Sequence, residues 1–194
     1  MPFRWFALAA LAGCLGISAY YRHRARVAGG AIPRSRERPL LILGRLAVAL
    51  PLFLGVLTYV AVPRWMAWSA LALPAWVRWT GVVLGLAMVP AAYWVFHALG
   101  RNVSETVLTR EHHELVTTGP YRVIRHPLYA MGIGLFLSVG LMAASWFILL
   151  FALIALVAIR VVVVPLEERE LEAKFGDAYR SYRQRTGVLL PRMW

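Results

Sequence analysis

The stretch "RHPLYAMGIGLFLSVGLMAASWFILLFALIALVAIRVVVVPLEERE", residues 125–170, decides the fold. Between Pro127 and Leu166 lie 40 residues with a single charge, Arg160. A bilayer core needs about 20 apolar residues per helix, so 40 predict a helical hairpin with its turn near Ala143–Ser145. Polar chemistry is crowded at both ends of the run. Arg125 and His126 stand before the helix-opening Pro127, and Glu167 and Glu168 stand after the last valines. Antiparallel partners place these ends side by side. The hairpin therefore predicts His126 and Tyr129 near Glu167 and Glu168.

Outward from the hairpin the apolar runs repeat. Residues 5–21 and 79–100 contain no Asp, Glu, Lys or Arg, and residues 40–62 contain only Arg45. These predict three further spans. "LAGC" at residues 11–14 looks like a lipoprotein cleavage box, but the apolar run continues past Cys14 to Tyr21, which reads as a retained helix. Residues 63–79 carry four tryptophans, Trp65, Trp68, Trp76 and Trp79, suited to a connection lying on the membrane surface. Gly81 and Gly85 form a small-residue pair for close helix packing.

The expected fold is all-α: a polytopic membrane protein of about five spans followed by an amphipathic C-terminal helix. That helix would present Leu171, Phe175, Ala178, Tyr179 and Tyr182 on one face. The whole chain, 1–194, reads as one domain, with residues 1–96 supplying the first three spans and 97–194 the polar region and hairpin. The chain is 60% hydrophobic with a mean hydropathy of +0.63 and a net charge of +12, from 21 basic and 9 acidic residues. The basic residues punctuate apolar runs, a pattern of membrane loops that excludes a nucleic-acid-binding face. The loops at 22–39 and 101–126 hold most of the arginine, which puts the N-terminus outside and the C-terminus in the cytoplasm. The expected compartment is a bacterial inner membrane. One cysteine, Cys14, excludes an internal disulfide. There is no H-x-x-x-H or H-E-x-x-H spacing, so no metal is expected, and no G-x-G-x-x-G marks a soluble nucleotide-binding domain.

A helix start beside Arg125 and His126 suits a carboxylate, and an acidic pair suits a cation. Tyr121 and Tyr129 suit a stacked base or a cation. S-adenosylmethionine carries a carboxylate, an ammonium, a sulfonium and an adenine. Two other classes of function compete. A non-catalytic membrane scaffold would bind no cofactor. A transporter would place charges near the midplane, often in internal repeats, and no repeat is evident.

"GPYRVIRHPLYAMG", followed about 40 residues later by "EERELEAKFGDAYRSYRQRTG", resembles the isoprenylcysteine carboxyl methyltransferase family, related to the phospholipid N-methyltransferases. The resemblance covers residues 97–194 well and extends more loosely upstream. It implies a membrane methyltransferase with S-adenosylmethionine bound at the cytoplasmic end. It implies cofactor contacts at His113, Glu114, Leu115, Val116, Tyr121, His126, Pro127, Leu128 and Tyr129, with Glu167 and Glu168 closing the site. Glu168 is assigned to the cofactor and Glu167 to the substrate side. Family members carry a substrate-facing arginine a few residues before the glutamates. Here the candidate is Arg160, seven residues before Glu167. With Glu167 it makes the expected catalytic pair. The implied acceptor is lipophilic, enters from the lipid, and is most like an isoprenylcysteine-type carboxylate. A phospholipid amine or a small thiol is the alternative.

Overall fold

The computed structural model describes residues 2–29, 39–100 and 115–192. Every regular element among them is helical. Helix α1 is Phe3–Gly29, α2 Pro39–Ala61, α3 Ala75–Leu99, α4 Pro127–Ala143 and α5 Trp146–Ala158. A π turn, Ile159–Val163, joins α5 to α6, Val164–Phe175, and α7 is Asp177–Arg185. Among the described residues, four helical stretches are long and apolar enough to cross a membrane, and the 17-residue α4 is a shorter fifth. By length and composition this is an integral membrane protein of four to five spans.

Three boundaries differ from the sequence expectation. Helix α1 runs on past Tyr21 through the arginines to Gly29. Arg22 donates one turn back to the Ser18 hydroxyl at 3.0 Å and Arg24 to the Tyr20 hydroxyl at 3.4 Å, so the cations are held along the helix. At the far end of the hairpin, the helix that carries the last apolar run passes through Pro165 without a break. Proline cannot donate to the carbonyl four residues back, and the π turn ahead of it takes up the misfit, so the helix continues to Phe175. Finally, the C-terminal amphipathic helix is broken at Gly176, whose φ of 53° is a left-handed conformation that glycine adopts without strain. Tyr179 and Tyr182 are buried on α7, while Ala178 is exposed.

The chain divides into two compact units. The first comprises residues 1–14, 36–90 and 132–157. Its core joins Phe3 and Ala7 of α1, Leu52, Val56 and Tyr59 of α2, Val82 of α3, Val139 and Met142 of α4, and Ile148 and Ala152 of α5. The α4–α5 turn falls where the sequence placed it, at Ala144 and Ser145. It is fastened by polar contacts. Ser145 and Ser69 hydroxyls meet at 2.8 Å, and the Leu71 amide donates to the Ala144 carbonyl at 2.6 Å. The Met142 carbonyl accepts from Arg78 Nε at 3.0 Å and from the Tyr59 hydroxyl at 3.3 Å. Arg78 also lies over the Phe3 ring at 4.1 Å, so this cation is enclosed by dipoles and an aromatic face. All four tryptophans of the 63–79 connection are exposed, as an interfacial belt requires.

The second unit comprises residues 15–35, 91–131 and 158–194. On it, Tyr21 is buried against Phe96 and meets His97 Nδ1 at 3.2 Å through its hydroxyl. The polar segments of the sequence are gathered here.

The glycines of α3 test the packing. A Cβ on Gly81 would stand 2.9 Å from both the Leu141 Cβ and the Ser138 carbonyl oxygen, backbone that cannot step aside. A Cβ on Gly16 of α1 would meet nothing within 4 Å. Gly81→Ala should therefore destabilise by about 1–3 kcal/mol. Gly16→Ala should be neutral or stabilise by up to about 1 kcal/mol. Thermal unfolding of both variants in the same detergent checks the contrast.

Candidate functional site

The site is built by a short chain segment, a helix start and the α6–α7 pair, all within the second unit. Gly119–Arg122 forms a single 3-10 turn, with Gly119 at a φ of 60°. A Cβ there would crowd Ala98 and the Trp94 indole, so glycine is needed on both counts. The turn buries Tyr121, and its carbonyl accepts from the Tyr182 hydroxyl at 2.8 Å. Residues 123–126 then pair with the chain after α7. Ile124 and Gly187 form a parallel bridge. Arg125 N donates to Gly187 O at 2.8 Å and His126 N to Val188 O at 3.1 Å. The C-terminal segment thus straps the RHP sequence down just before Pro127 opens α4.

Two carboxylates meet two cations under this strap. Arg125 Nε donates to Glu168 Oε1 at 2.8 Å, with both side chains under a tenth exposed. The rest of the guanidinium is spent on backbone: it donates to the Arg183 carbonyl at 3.0 Å and to the Thr186 carbonyl at shorter range. Those carbonyls lie at the C-terminal end of α7, where a cation is favoured by the helix dipole. Arg183 Nε lies 3.6 Å from Glu168 Oε2, so protein cations face both oxygens of that carboxylate.

His126, buried at 4% exposure, bridges the acidic pair. Its Nε2 lies 3.4 Å from Glu168 Oε1 and its Nδ1 lies 3.5 Å from Glu167 Oε2. The second contact is an ion-pair distance without hydrogen-bond alignment. Glu167 Oε2 is a buried oxygen with no hydrogen-bond partner among the described residues. Tyr129 stacks on the imidazole with centroids 5.8 Å apart. Burial disfavours the charged ring, but the pull of the two adjacent carboxylates outweighs it, and the His126 pKa rises above its ordinary 6.5. The site thus favours the protonated imidazole. Tyr121, just outside α4, is pushed far above the usual phenol range, first by burial and then by Glu167.

The structure brings together Tyr121, Arg125, His126, Tyr129, Glu167 and Glu168, as the hairpin geometry required. Pro127 is buried at the helix start, and Leu128 is half-buried beside it. Leu115 and Val116 are half-buried in irregular chain leading to the 3-10 turn. His113 and Glu114 lie outside the described residues. Arg160 sits in the π turn with its side chain exposed, not in the buried ion cluster. Sequence reading missed the role of residues 186–188 as a strap and of Arg183 as a cation facing Glu168. It also missed Tyr179, whose hydroxyl is buried without a partner among the described residues. The available signal was the run "YRSYRQRTG", whose tyrosines recur at helical spacing. No cluster of His, Cys, Asp and Glu able to hold a metal occurs among the described residues.

The family profile of the phospholipid methyltransferases matches residues 76–178, more than half of the chain and all of α4 to α6. The chain belongs to the phospholipid methyltransferase family. Individual relatives match over stretches of 71 to 127 residues. Methanethiol S-methyltransferase 1 of Bradyrhizobium diazoefficiens is 42% identical over 71 residues, 37% of this chain and 24% of its own length. Protein-S-isoprenylcysteine O-methyltransferase B of Arabidopsis thaliana is 37% identical over 101 residues, 47% of this chain and 48% of its own length. Methanethiol S-methyltransferase of Mycobacterium tuberculosis is 31% identical over 127 residues, 66% of this chain and 46% of its own length. The chain thus spans about a quarter to a half of the length of these curated relatives.

The imidazolium gives the site a pH dependence with a definite sign. Both carboxylates favour the protonated ring, and its folded-state pKa is raised. Its contribution to stability is therefore complete below the unfolded value of about 6.5 and is lost as pH rises through the elevated folded value. The stability difference between the parent and His126→Gln should be largest in mild acid and should shrink toward alkaline pH. Denaturation midpoints of both proteins from pH 5.5 to 9 measure it. A difference that grows with pH would mean the ring is held neutral.

Proposed function

We propose that this chain is an S-adenosylmethionine-dependent methyltransferase acting on a lipophilic acceptor at the membrane. One observation carries the reading: Glu167 presents a buried carboxylate oxygen that accepts no aligned hydrogen bond among the described residues, beside His126 and the Tyr129 ring, at the end of an apolar helix. The ion-pair contact with His126 leaves that oxygen's hydrogen-bonding capacity unmet, and a ligand ammonium would meet it. The family and the methyltransferase names of the relatives support the same chemistry.

When bound, S-adenosylmethionine supplies an electrophilic methyl group on a sulfonium. The residues present fit its polar groups. Glu167 would accept from the ammonium, while Tyr121 and Tyr129 offer rings for the adenine or the sulfonium. Glu168 is saturated by Arg125, His126 and Arg183 and would instead hold the site together. This exchanges the roles first assigned to the two glutamates. Leu115, Val116, Pro127 and Leu128 would wall the site with apolar surface, and His113 and Glu114 complete the proposed contact set. The chain's task is to align an acceptor with the methyl group and exclude water. We assign the acceptor-facing role to Arg160, at the apolar margin one helical stretch before Glu167.

An isoprenylcysteine-type carboxylate needs no base, only a cation to orient it, and Arg160 is the candidate. A second reading, a small thiol acceptor, is favoured by the exposure of Arg160 outside the ion cluster. Relatives of both names occur. The arginine-rich loops further support an inner-membrane protein with its C-terminus in the cytoplasm, where the cofactor is made.

Calorimetric titration with the demethylated product, S-adenosylhomocysteine, tests the assignment. Glu167→Gln should lose at least about tenfold in affinity, with a smaller loss of ligand-free stability than at Glu168, because only its contact with His126 is weakened. Glu168→Gln should lose about 1–3 kcal/mol of stability, because Arg125 is left buried without its counter-charge. Equal effects at the two positions would reduce the pair to a structural ion cluster. Methyl transfer to a farnesylcysteine analogue and to methanethiol, with Arg160→Gln measured alongside, separates the two acceptors.

A further inference from the structure

Two buried polar atoms of the second unit lack a hydrogen-bond partner among the described residues: Glu167 Oε2 and Tyr179 Oη. They are of opposite kinds. The first accepts, and the second donates. Tyr179 is fully buried on α7 and packs edge-to-face on Tyr182 with centroids 6.0 Å apart. Its neighbours are committed elsewhere. The Tyr182 hydroxyl goes to the Tyr121 carbonyl, Arg125 to Glu168 and two carbonyls, and Arg183 to Glu168 and Glu172. Burial first, then Glu168, push the Tyr179 pKa above the phenol range despite the opposing pull of Arg125. The hydroxyl therefore keeps its proton, and as a buried donor it needs an acceptor.

Glu168, Arg125 and Glu167 all act electrostatically on the Tyr179 hydroxyl, so both orphans face the same group of charges, yet they do not bond each other. A ligand bearing a cationic donor and an anionic acceptor on neighbouring atoms would satisfy both. That is the chemistry of an α-amino-acid zwitterion. Arg125 and His126 read from sequence as carboxylate binders, but both are already engaged by protein carboxylates. A buried hydroxyl is the remaining donor.

We propose that Tyr179 is a ligand-contacting residue that donates to the carboxylate of the amino-acid end of the ligand whose ammonium pairs with Glu167. This rests on the cofactor reading above and adds to it the residue that reads the carboxylate. Tyr179 would distinguish a complete amino-acid-bearing ligand from a nucleoside lacking that end.

Tyr179→Phe removes the hydroxyl and keeps the ring. Two ligands separate the ends: S-adenosylhomocysteine has the amino-acid group, and 5′-methylthioadenosine lacks it. The variant should lose about tenfold or more in affinity for S-adenosylhomocysteine and none for 5′-methylthioadenosine. Its ligand-free melting temperature should equal or exceed that of the parent, because an unpaired buried hydroxyl has been removed. Tyr182→Phe serves as the contrast, since its hydroxyl bonds the Tyr121 carbonyl: it should lower the melting temperature without selecting between the ligands. Parent-like affinity of Tyr179→Phe for S-adenosylhomocysteine would overturn the proposal, as would equal losses for both ligands. A lower ligand-free melting temperature, or failure to fold, would also overturn it, by showing that the hydroxyl has a structural partner. If the parent binds neither ligand, the cofactor reading itself falls, a result visible before any variant is made.

Discussion

The Glu168 carboxylate is the point on which the polar half of this protein depends. Arg125 and His126 share one of its oxygens at 2.8 and 3.4 Å, and Arg183 approaches the other. A buried carboxylate is expensive to desolvate, and a single partner does not always repay it. Here three cations and the strap of residues 186–188 surround it, so the charges are mutually compensated and geometrically fixed. Arg125 does double duty. Its guanidinium also reaches the carbonyls at the end of α7, so one side chain ties α6, α7 and the approach to α4 together.

That compensation separates structure from chemistry within a dipeptide. Glu168 is spent on protein, whereas Glu167 keeps an oxygen that lies near His126 but accepts no aligned hydrogen bond among the described residues. Adjacent helical residues point about 100° apart, so the difference follows from the helix itself. Tyr129 is carried on the first turn of α4 and lies flat against the imidazole. The carboxylate oxygen, the imidazole and the ring thus arise from a fixed framework and do not have to be assembled from mobile loops.

Much of this was legible in the sequence because membrane helices obey a length rule. Forty residues with one charge must fold back on themselves, and a hairpin must bring RHPLY beside the glutamates. The turn at Ala144–Ser145 and the meeting of His126 with Glu167 both follow. What could not be read depends on backbone detail. Nothing in the periodicity announces that Pro165 lies inside a continuous helix, because proline at that point reads equally as a stop. Gly176 interrupts an apolar stripe that otherwise looks unbroken from Leu171 to Tyr182. The pairing of residues 123–126 with 186–188 is a contact across 60 positions with no pattern of its own. For Arg125, the residue type was read correctly as an anion binder, but its anion is Glu168 of the same chain.

The π turn then acquires a structural meaning. Pro165 has no amide hydrogen to give, and the widened turn at Ile159–Val163 stands immediately before it, so the backbone accommodates the proline without ending the helix. Beyond the turn, the buried positions of α6 are Val164 and Glu168, four apart on one helical face. Glu167 stands about 100° around the helix from Glu168. The rotational setting of α6 therefore decides which carboxylate meets Arg125 and Arg183, and the face that buries Val164 is the face that spends Glu168 on structure.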